Sequence, residues 1–427
     1  MTDPYLTLQD GLADLTSTRA AGLTRRWSYF KGNQPRVWVT DKFARLFRDL
    51  ADSMGDNYCG LAVNSRVSRL KVEGWSGPDA EAAEGAWADG GWPIRQSSFY
   101  QWGLGYGQVY LIGEEGETGP VLQPNRPTLV SHTASQDNPL MVETATKAWW
   151  SRGEWHAVVY DDADVWRFVA PGKAETMPKF DQFRPDPEDE GGPHGFDRCP
   201  VIVCYPYGFD SPVLLDTVRG AQDRINKIGS NKFVASEFSA FAQRVFFTRQ
   251  DIQDEDVVNA PDHAIVLDPG DAEGKASVQE LSGGDLAKFD AAKQAEVDTF
   301  FTLALLPRHL MVNPGAAPSG AAIKADEGPM VAAVREHQAQ FGESMSAGWD
   351  LFGWEAESVW ENPEVADGLD TAQEVRAYVD SGVPVDAALV RVAGWTQEDV
   401  DEMRGTVTEA APTGPTVVPD LLDGLGA

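Results

Sequence analysis

Few places in this chain combine residue types and spacing that could do chemistry. Gly103-Leu104-Gly105-Tyr106-Gly107-Gln108 has the outline of a dinucleotide fingerprint, in which glycines let the backbone approach a pyrophosphate at a helix N-terminus. Gln108 stands where the third glycine belongs, and no strand-turn-helix pattern surrounds the run. The better reading is small residues that let a helix or turn pack closely on the strand that follows. Asp186, Glu188 and Glu190 before Gly191, with Asp197 at the twelfth position, imitate a calcium loop. Glutamates replace the short ligands there, and Pro187 and Pro193 interrupt it, so the stretch reads as a solvated loop. Walker A, GxSxG and HExxH motifs are all missing, and the six histidines are scattered. Three cysteines, Cys59, Cys199 and Cys204, form no CxxC pair and have no histidine at ligand spacing, which argues against a zinc site or a disulfide scaffold. No cofactor or metal is expected. The 14 tryptophans and many carboxylates raise a polysaccharide hydrolase, with two carboxylates flanking a glycosidic bond, yet most carboxylates lie in polar, solvated runs. Arg308 and His309 are more interesting, because a cationic pair at a loop tip could touch a phosphate. Arg308 could equally cap the preceding helix end, where a cation is favoured, and both readings stand.

The elements around that pair are two long helical patterns. From Asp285, Leu286, Phe289, Val297, Phe300, Phe301 and Ala304 recur on one apolar face. A second pattern starts at Ser319, a good N-cap, and places Met330, Val334, Phe341, Met345, Trp349 and Phe352 on one stripe. At 1.5 Å per residue it would span about 50 Å, long for a compact domain. The prolines of Leu306 to Pro318 forbid a continuous helix between the two. Gly328-Pro329 predicts a kink or break in the second.

Earlier in the chain, one helix is expected over 5–30 with Gly32 as its stop, another over about 40–54 and a third over about 57–70. Strand-like runs follow at Gln108–Ile112 and at Glu154–Tyr160 and Val165–Val169, the last two forming a hairpin around an Asp-rich turn. Pro200–Tyr205 reads as a buried strand. A third long helix keeps its spacing from Leu214 through Phe241, and 245–284 returns to short strands such as Val245-Phe246-Phe247 and Ala264–Leu267. After Gly353 the chain is acidic; Asp370 to Arg404 carries short helices, with Val383-Pro384 starting one and Thr396 opening a capping box. The class is α+β.

Length and 42% hydrophobic content support a folded chain with a sizeable core. The 66 acidic residues against 35 basic ones give a net charge of -31, which opposes tight general binding to nucleic acid. Met1–Tyr5 lacks the basic and apolar regions of a secretory signal, and no apolar run reaches the roughly 20 residues needed to cross a bilayer.

The order of parts resembles the portal proteins of tailed double-stranded DNA bacteriophages, of the siphophage type. The resemblance is carried by Gly220-Ala221-Gln222-Asp223-Arg224-Ile225-Asn226-Lys227 and Phe241-Ala242-Gln243-Arg244, by Leu306-Pro307-Arg308-His309-Leu310, by Ser319–Glu327 and by Met330–Gly342. Near the start, Arg26-Trp27-Ser28-Tyr29-Phe30-Lys31-Gly32 is similar to an aromatic-aromatic-x-Gly element of such proteins. Phe209-Asp210-Ser211-Pro212 departs from the family pattern by lacking a Gly-x-Ser element.

The resemblance implies a subunit with an N-terminal extension (1–20), an α+β wing (21–211), a stem helix (212–242), a small β-rich clip (243–284) and a returning stem helix (285–306). A tunnel loop (307–318), a long kinked helix of the wing (319–365), an α-helical crown (366–404) and a disordered tail (405–427) would follow. It further implies a ring of about twelve copies, closed by head-to-tail contacts, at one capsid vertex. DNA enters and leaves through such a ring without sequence-specific binding. Arg308, His309, Asn313 and Lys324 would face the channel or its loop, and Asp254, Glu255, Asp256 and Asp262 would lie on the docking face of the clip. The implied partners are the terminase large subunit, the major capsid and scaffold proteins and a head-completion adaptor, with no membrane and no enzymatic activity of the chain's own. The implied location is the virion, after assembly in host cytoplasm. The rival expectations are another phage head or adaptor protein and the acidic, Trp-rich hydrolase.

Overall fold

Asp3 and Ser17 decide where the first two helices begin. Asp3 Oδ1 accepts the Tyr5 N–H at 2.9 Å and opens α1 (Pro4–Leu15); Ser17 Oγ accepts the Arg19 N–H at 3.1 Å and opens α2 (Thr18–Lys31). The single helix expected over 5–30 is therefore two. Thr16 turns its hydroxyl back to the Leu12 and Ala13 carbonyls, the Thr16 and Ser17 N–H groups shift to carbonyls three residues back, and Ser17 caps afresh. Gly32, at φ +78°, ends α2 as expected. The computed structural model describes residues 3–34, 55–116, 119–240, 243–247, 265–267, 277–281, 285–311, 320–364, 368–392 and 400–401. The helix expected over 40–54, the capping box at Thr396 and the tail from 405 lie outside them.

Asn57 accepts the Gly60 N–H at 2.9 Å and starts α3 (Tyr58–Val67), which leads into β1 (Val72–Ser76), α4 (Ala80–Asp89) and α5 (Trp92–Tyr106). The glycines 103, 105 and 107 belong to the end of α5, before a strand and not after one. A Cβ at Gly103 would fall 2.7 Å from the Phe341 ring and one at Gly105 3.1 Å from Trp27. Gly103 and Gly105 serve close packing, but against Phe341 and α2 and not against the strand that follows, while Gly107, at φ +91°, ends the helix.

Next come β2 (Val109–Gly116), β3 (Gly119–Asn125), β4 (Val130–Ala134), β5 (Val142–Ser151), β6 (Glu154–Tyr160), β7 (Asp164–Pro171), β8 (Arg184–Pro185), β9 (Gly191–Pro193) and β10 (Val201–Cys204). They build a β10-β2-β3 sheet and a second sheet ordered β4-β5-β6-β7-β8, with β9 also on β7. The expected hairpin is β6–β7, and Asp161 Oδ1 holds its turn by accepting the N–H groups of Ala163 and Asp164. The solvated run 185–192 supplies β8 and part of β9, short exposed strands that extend the sheet. One face of the second sheet buries Ala148, Ala157, Val159 and Phe168 in one cluster with Leu8, Leu12 and Leu15 of α1. The other joins Ala145, Val158 and Tyr160 to Tyr110, Ile112, Val201 and Val203 of the first sheet. Each fully buried leucine there contributes about 2 kcal/mol relative to exposure.

The second half of the chain runs α6 (Leu214–Ala240), β11 (Gln243–Phe247), β12 (Ile265–Leu267), β13 (Ser277–Leu281), α7 (Leu286–Leu303) and α8 (Gly320–Asp350). β11 is central in its sheet, parallel to β12 and antiparallel to β13. Of the kink or break expected at Gly328-Pro329, the break does not occur, because α8 continues through Pro329. Both residues are exposed, so the ring meets solvent, and the cost is the lost N–H together with crowding of the carbonyl four residues back. Met330, Val334, Phe341, Met345 and Trp349 are fully buried along the expected stripe. The acidic run after Gly353 contains an unforeseen strand, β14 (Glu357–Trp360), paired antiparallel with β1. Two further helices follow, α9 (Gly368–Asp380) and α10 (Val385–Val392), α10 starting after Pro384 as expected.

The chain divides into two compact units. The larger comprises Met1–Pro318 and Ala325–Pro363; the smaller comprises Ser319–Lys324 and Glu364–Ala427 and contains α9 packed on α10, with Ala388 buried. Among the described residues no helix is long and apolar enough to cross a membrane.

Candidate functional site

Every residue of Gln222–Asn226 on α6 has a structural task. Ala221 and Ile225 enter the core, while Gln222 and Asn226, also buried, form a polar ladder one turn apart. Gln222 Oε1 accepts the N–H groups of Tyr58 and Cys59 at 2.9 and 3.2 Å, two of the donors that the start of α3 leaves without helical partners. Its Nε2 donates to the Asp56 carbonyl and to Asn226 Oδ1, which also accepts the Asp56 N–H. Asp223 accepts the Tyr29 phenol, and Asp216 pairs with Arg26. The first half of α6 is thus fastened to α2 and α3.

Its second half is not. Beyond Ser230 no described side chain of α6 is buried, and on α7 burial begins only at Val297. Arg224 pairs with Glu296 at 2.8 Å, and Lys232, further along α6, with Asp290, earlier in α7, so the two helices run antiparallel. Lys293 reaches Asp56 at 2.7 Å. The pair leaves the core together, with the β11–β13 sheet in the chain between its two members.

Where α7 returns to the core it ends abruptly. Leu305 adopts φ +51°, and the Leu306 N–H reaches back to the Phe301 carbonyl at 2.9 Å, a Schellman-type end with leucine in place of glycine. The Ala304 carbonyl accepts from Arg66, whose guanidinium is 2% exposed and also donates to the Ala62 carbonyl. Burial lowers the Arg66 pKa, and the negative end of the α7 dipole helps hold the charge. Arg66, then, does what Arg308 was considered for. The Arg308 side chain is exposed.

Arg308–Leu310 forms one 3-10 turn, started by Asp326 of α8, whose Oδ2 accepts the Arg308 and His309 N–H groups. The His309 imidazole lies between two carboxylates, its Nε2 3.3 Å from Glu327 Oε1 and its Nδ1 3.6 Å from Asp326 Oδ2, the latter too long for a hydrogen bond. Glu327 is buried and held by both Nη atoms of Arg69, which also donates to the Pro363 carbonyl at 2.9 Å. Of the expected channel residues, Arg308 is exposed, His309 is turned into this network and Lys324 is exposed on α8. Asn313, Asp254, Glu255, Asp256 and Asp262 lie outside the described residues. Arg66, Arg69 and Glu327 were not anticipated, since nothing in a sequence tells a buried arginine from a solvated one.

Cys59, Cys199 and Cys204 are buried, and burial pushes each thiol up to about 12, far from a reactive thiolate. A surface cleft lined by Gly77, Arg198, Glu343, Asp350, Trp354 and Glu357 has Arg198 2.8 Å from Asp350, so that carboxylate is already paired. Among the described residues no cluster could hold a metal ion.

Comparison with known proteins gives one family. The model described as phage portal protein, SPP1 Gp6-like, matches residues 121–347, more than half of the chain. No curated protein matches. Among solved structures the fold is similar to a chain of the virion of a native gene transfer agent (GTA) particle, at 13% identity and a TM-score of 0.49, over 88% of this chain and 99% of that one.

Proposed function

The chain belongs to the SPP1 Gp6-like family of phage portal proteins, and from that premise we propose that it is the ring-forming subunit through which DNA enters and leaves a phage head. Portal proteins of this family are structural components of the phage particle. The observation that best supports the channel reading is the antiparallel α6–α7 pair, bound to the core at one end and with none of its described side chains buried at the other. An isolated helix pair of that length gains little from propensity alone, so its outer half calls for neighbours. Copies of the same pair, arranged head to tail around an axis, supply them.

In this reading α6 and α7 are the stem, β11–β13 belong to the clip, and 307–318 is the loop nearest the DNA. Leu303, Leu305 and Leu310, all more than a third exposed at the end of α7, serve contacts between neighbouring copies. The excess of acidic side chains keeps the duplex from sticking while it slides, and exposed Arg308 gives a local, weak contact. The work of pumping falls to a separate terminase, which docks on the clip before a head-completion protein replaces it, while capsid and scaffold proteins surround the ring. Native mass spectrometry with negative-stain electron microscopy tests the assembly. Rings of about twelve subunits with a central hole are expected; a chain that stays monomeric even with its scaffold protein present would overturn the proposal.

A further inference from the structure

Arg66 and Arg69 lie three residues apart at the end of α3, and they grip different partners. Arg66 holds the last carbonyl of α7, at the entrance to the 307–318 segment. Arg69 holds Glu327, on the far side of that segment, in a two-pronged pair with contacts of 2.9 and 3.3 Å. Neither arrangement is cheap. A buried guanidinium with only carbonyls as partners, and a glutamate with a side chain 5% exposed, are stable only while their contacts persist. Asp326, next to Glu327, accepts the backbone N–H groups of Arg308 and His309, and the imidazole of His309 bridges back to Glu327. The end of α7 and Glu327 of α8 are therefore both held by the short stretch 66–69 at the end of α3 and just past it. The start of α3 is in turn locked to α6, through the Gln222 contacts to Tyr58 and Cys59.

We propose that Arg66 and Arg69 are positioning residues that clamp the end of α7 and Glu327 of α8 to the end of α3, so that exposed Arg308, on the turn that Asp326 holds, is presented at a fixed place along the stem. The link to the channel rests on the portal reading; the clamp does not. Removing Arg69 leaves Glu327 buried without its main partner. Glu327 must then move toward water, carrying Asp326 and the two backbone contacts with it. Arg308 would keep its charge and lose its fixed position.

The test uses the full chain, with Arg69→Gln, Glu327→Gln and the double variant compared with the wild type by amide hydrogen exchange. Each single change is expected to speed exchange at the Arg308 and His309 amides by roughly tenfold while leaving the α1 amides unchanged. The double variant should exceed neither single variant, because both remove one interaction. Unchanged exchange at those two amides, or an equal acceleration in α1, overturns the clamp. Arg66→Met, judged at the Leu306 amide, provides a second reading, and its failure to fold would leave the Arg69 result decisive. Wild-type rings are checked first by electron microscopy, so a failed portal reading is seen apart from a failed clamp. With rings intact, Arg69→Gln is expected to lower the amount of DNA retained in assembled heads; full retention would overturn the channel link.

Discussion

Tyr29 donates its phenol to Asp223, lying 2.8 and 3.0 Å from the two carboxylate oxygens, and so ties α2 to the fastened half of α6. The two partners are unequal, since Tyr29 is buried and Asp223 is exposed. Burial, and then the hydrogen bond to Asp223, raise the Tyr29 pKa, so the phenol stays a donor throughout the working range. Tyr29→Phe leaves a carboxylate that water can solvate, whereas Asp223→Ala leaves a buried hydroxyl without a partner. Denaturant unfolding should show about 0.5–1 kcal/mol lost for the first and about 1–2 kcal/mol for the second. Equal losses would mean that the asymmetry of exposure does not matter here.

Gln222→Leu preserves volume but abandons two amide donors at the start of α3 and the Asp56 carbonyl. At about 1 kcal/mol or more for each buried group left unpaired, a loss near 3 kcal/mol is expected. The Tyr58 and Cys59 amides should exchange faster than those of α5; a loss under about 1 kcal/mol would show that water takes the place of the carboxamide.

His337 is 3% exposed, with Nδ1 2.7 Å from the Pro206 carbonyl and Nε2 unpartnered. Burial pushes its pKa down to about 4, against the Pro206 carbonyl, which raises it, and with Arg66, which lowers it further. The unfolded chain, with an ordinary value of 6.5, binds more protons between those two pH values. The stabilisation is fully present above pH 6.5 and is lost as pH falls through 4, up to about 3 kcal/mol. Unfolding measured between pH 7 and 4 should steepen over that window in the wild type and flatten in His337→Gln. Identical slopes would sink the assignment.

Leu305 holds a left-handed backbone that costs a non-glycine residue about 1 kcal/mol. Leu305→Gly should therefore leave subunit stability unchanged or raise it by up to about 1 kcal/mol, and Leu305→Val should lower it, both read as thermal midpoints. Ring yield is the contrasting readout: if the leucine serves a neighbour, the glycine variant assembles less well despite folding as firmly.

The long helices, the β6–β7 hairpin and the β-rich insert were legible because period and turn residues act locally. The break at Thr16-Ser17 was missed because the apolar spacing persists across it, while two hydroxyls, invisible to a periodicity count, stop the ladder. β14 was missed because its partner, β1, is remote in sequence and the strand is only four residues long. In the candidate site, the loop residues could be found from their prolines and their position between helices. The arginines that hold it could not, because burial of a charge is decided by elements that only the fold brings together.

The β1–β14 ribbon sets a timetable for making the protein. Val72–Ser76 emerges early but has no partner until Glu357–Trp360 has been made, and at roughly 5–20 residues per second that delay is on the order of half a minute. During translation its edge is open to the same edge of a neighbouring nascent chain, which is a hazard of mispairing. Shortness and the irregular register between Val72 and Gly74 make β1 a poor template for such a mispairing. The strand is weak enough to wait, and its pairing records that the chain has been made at least as far as Trp360.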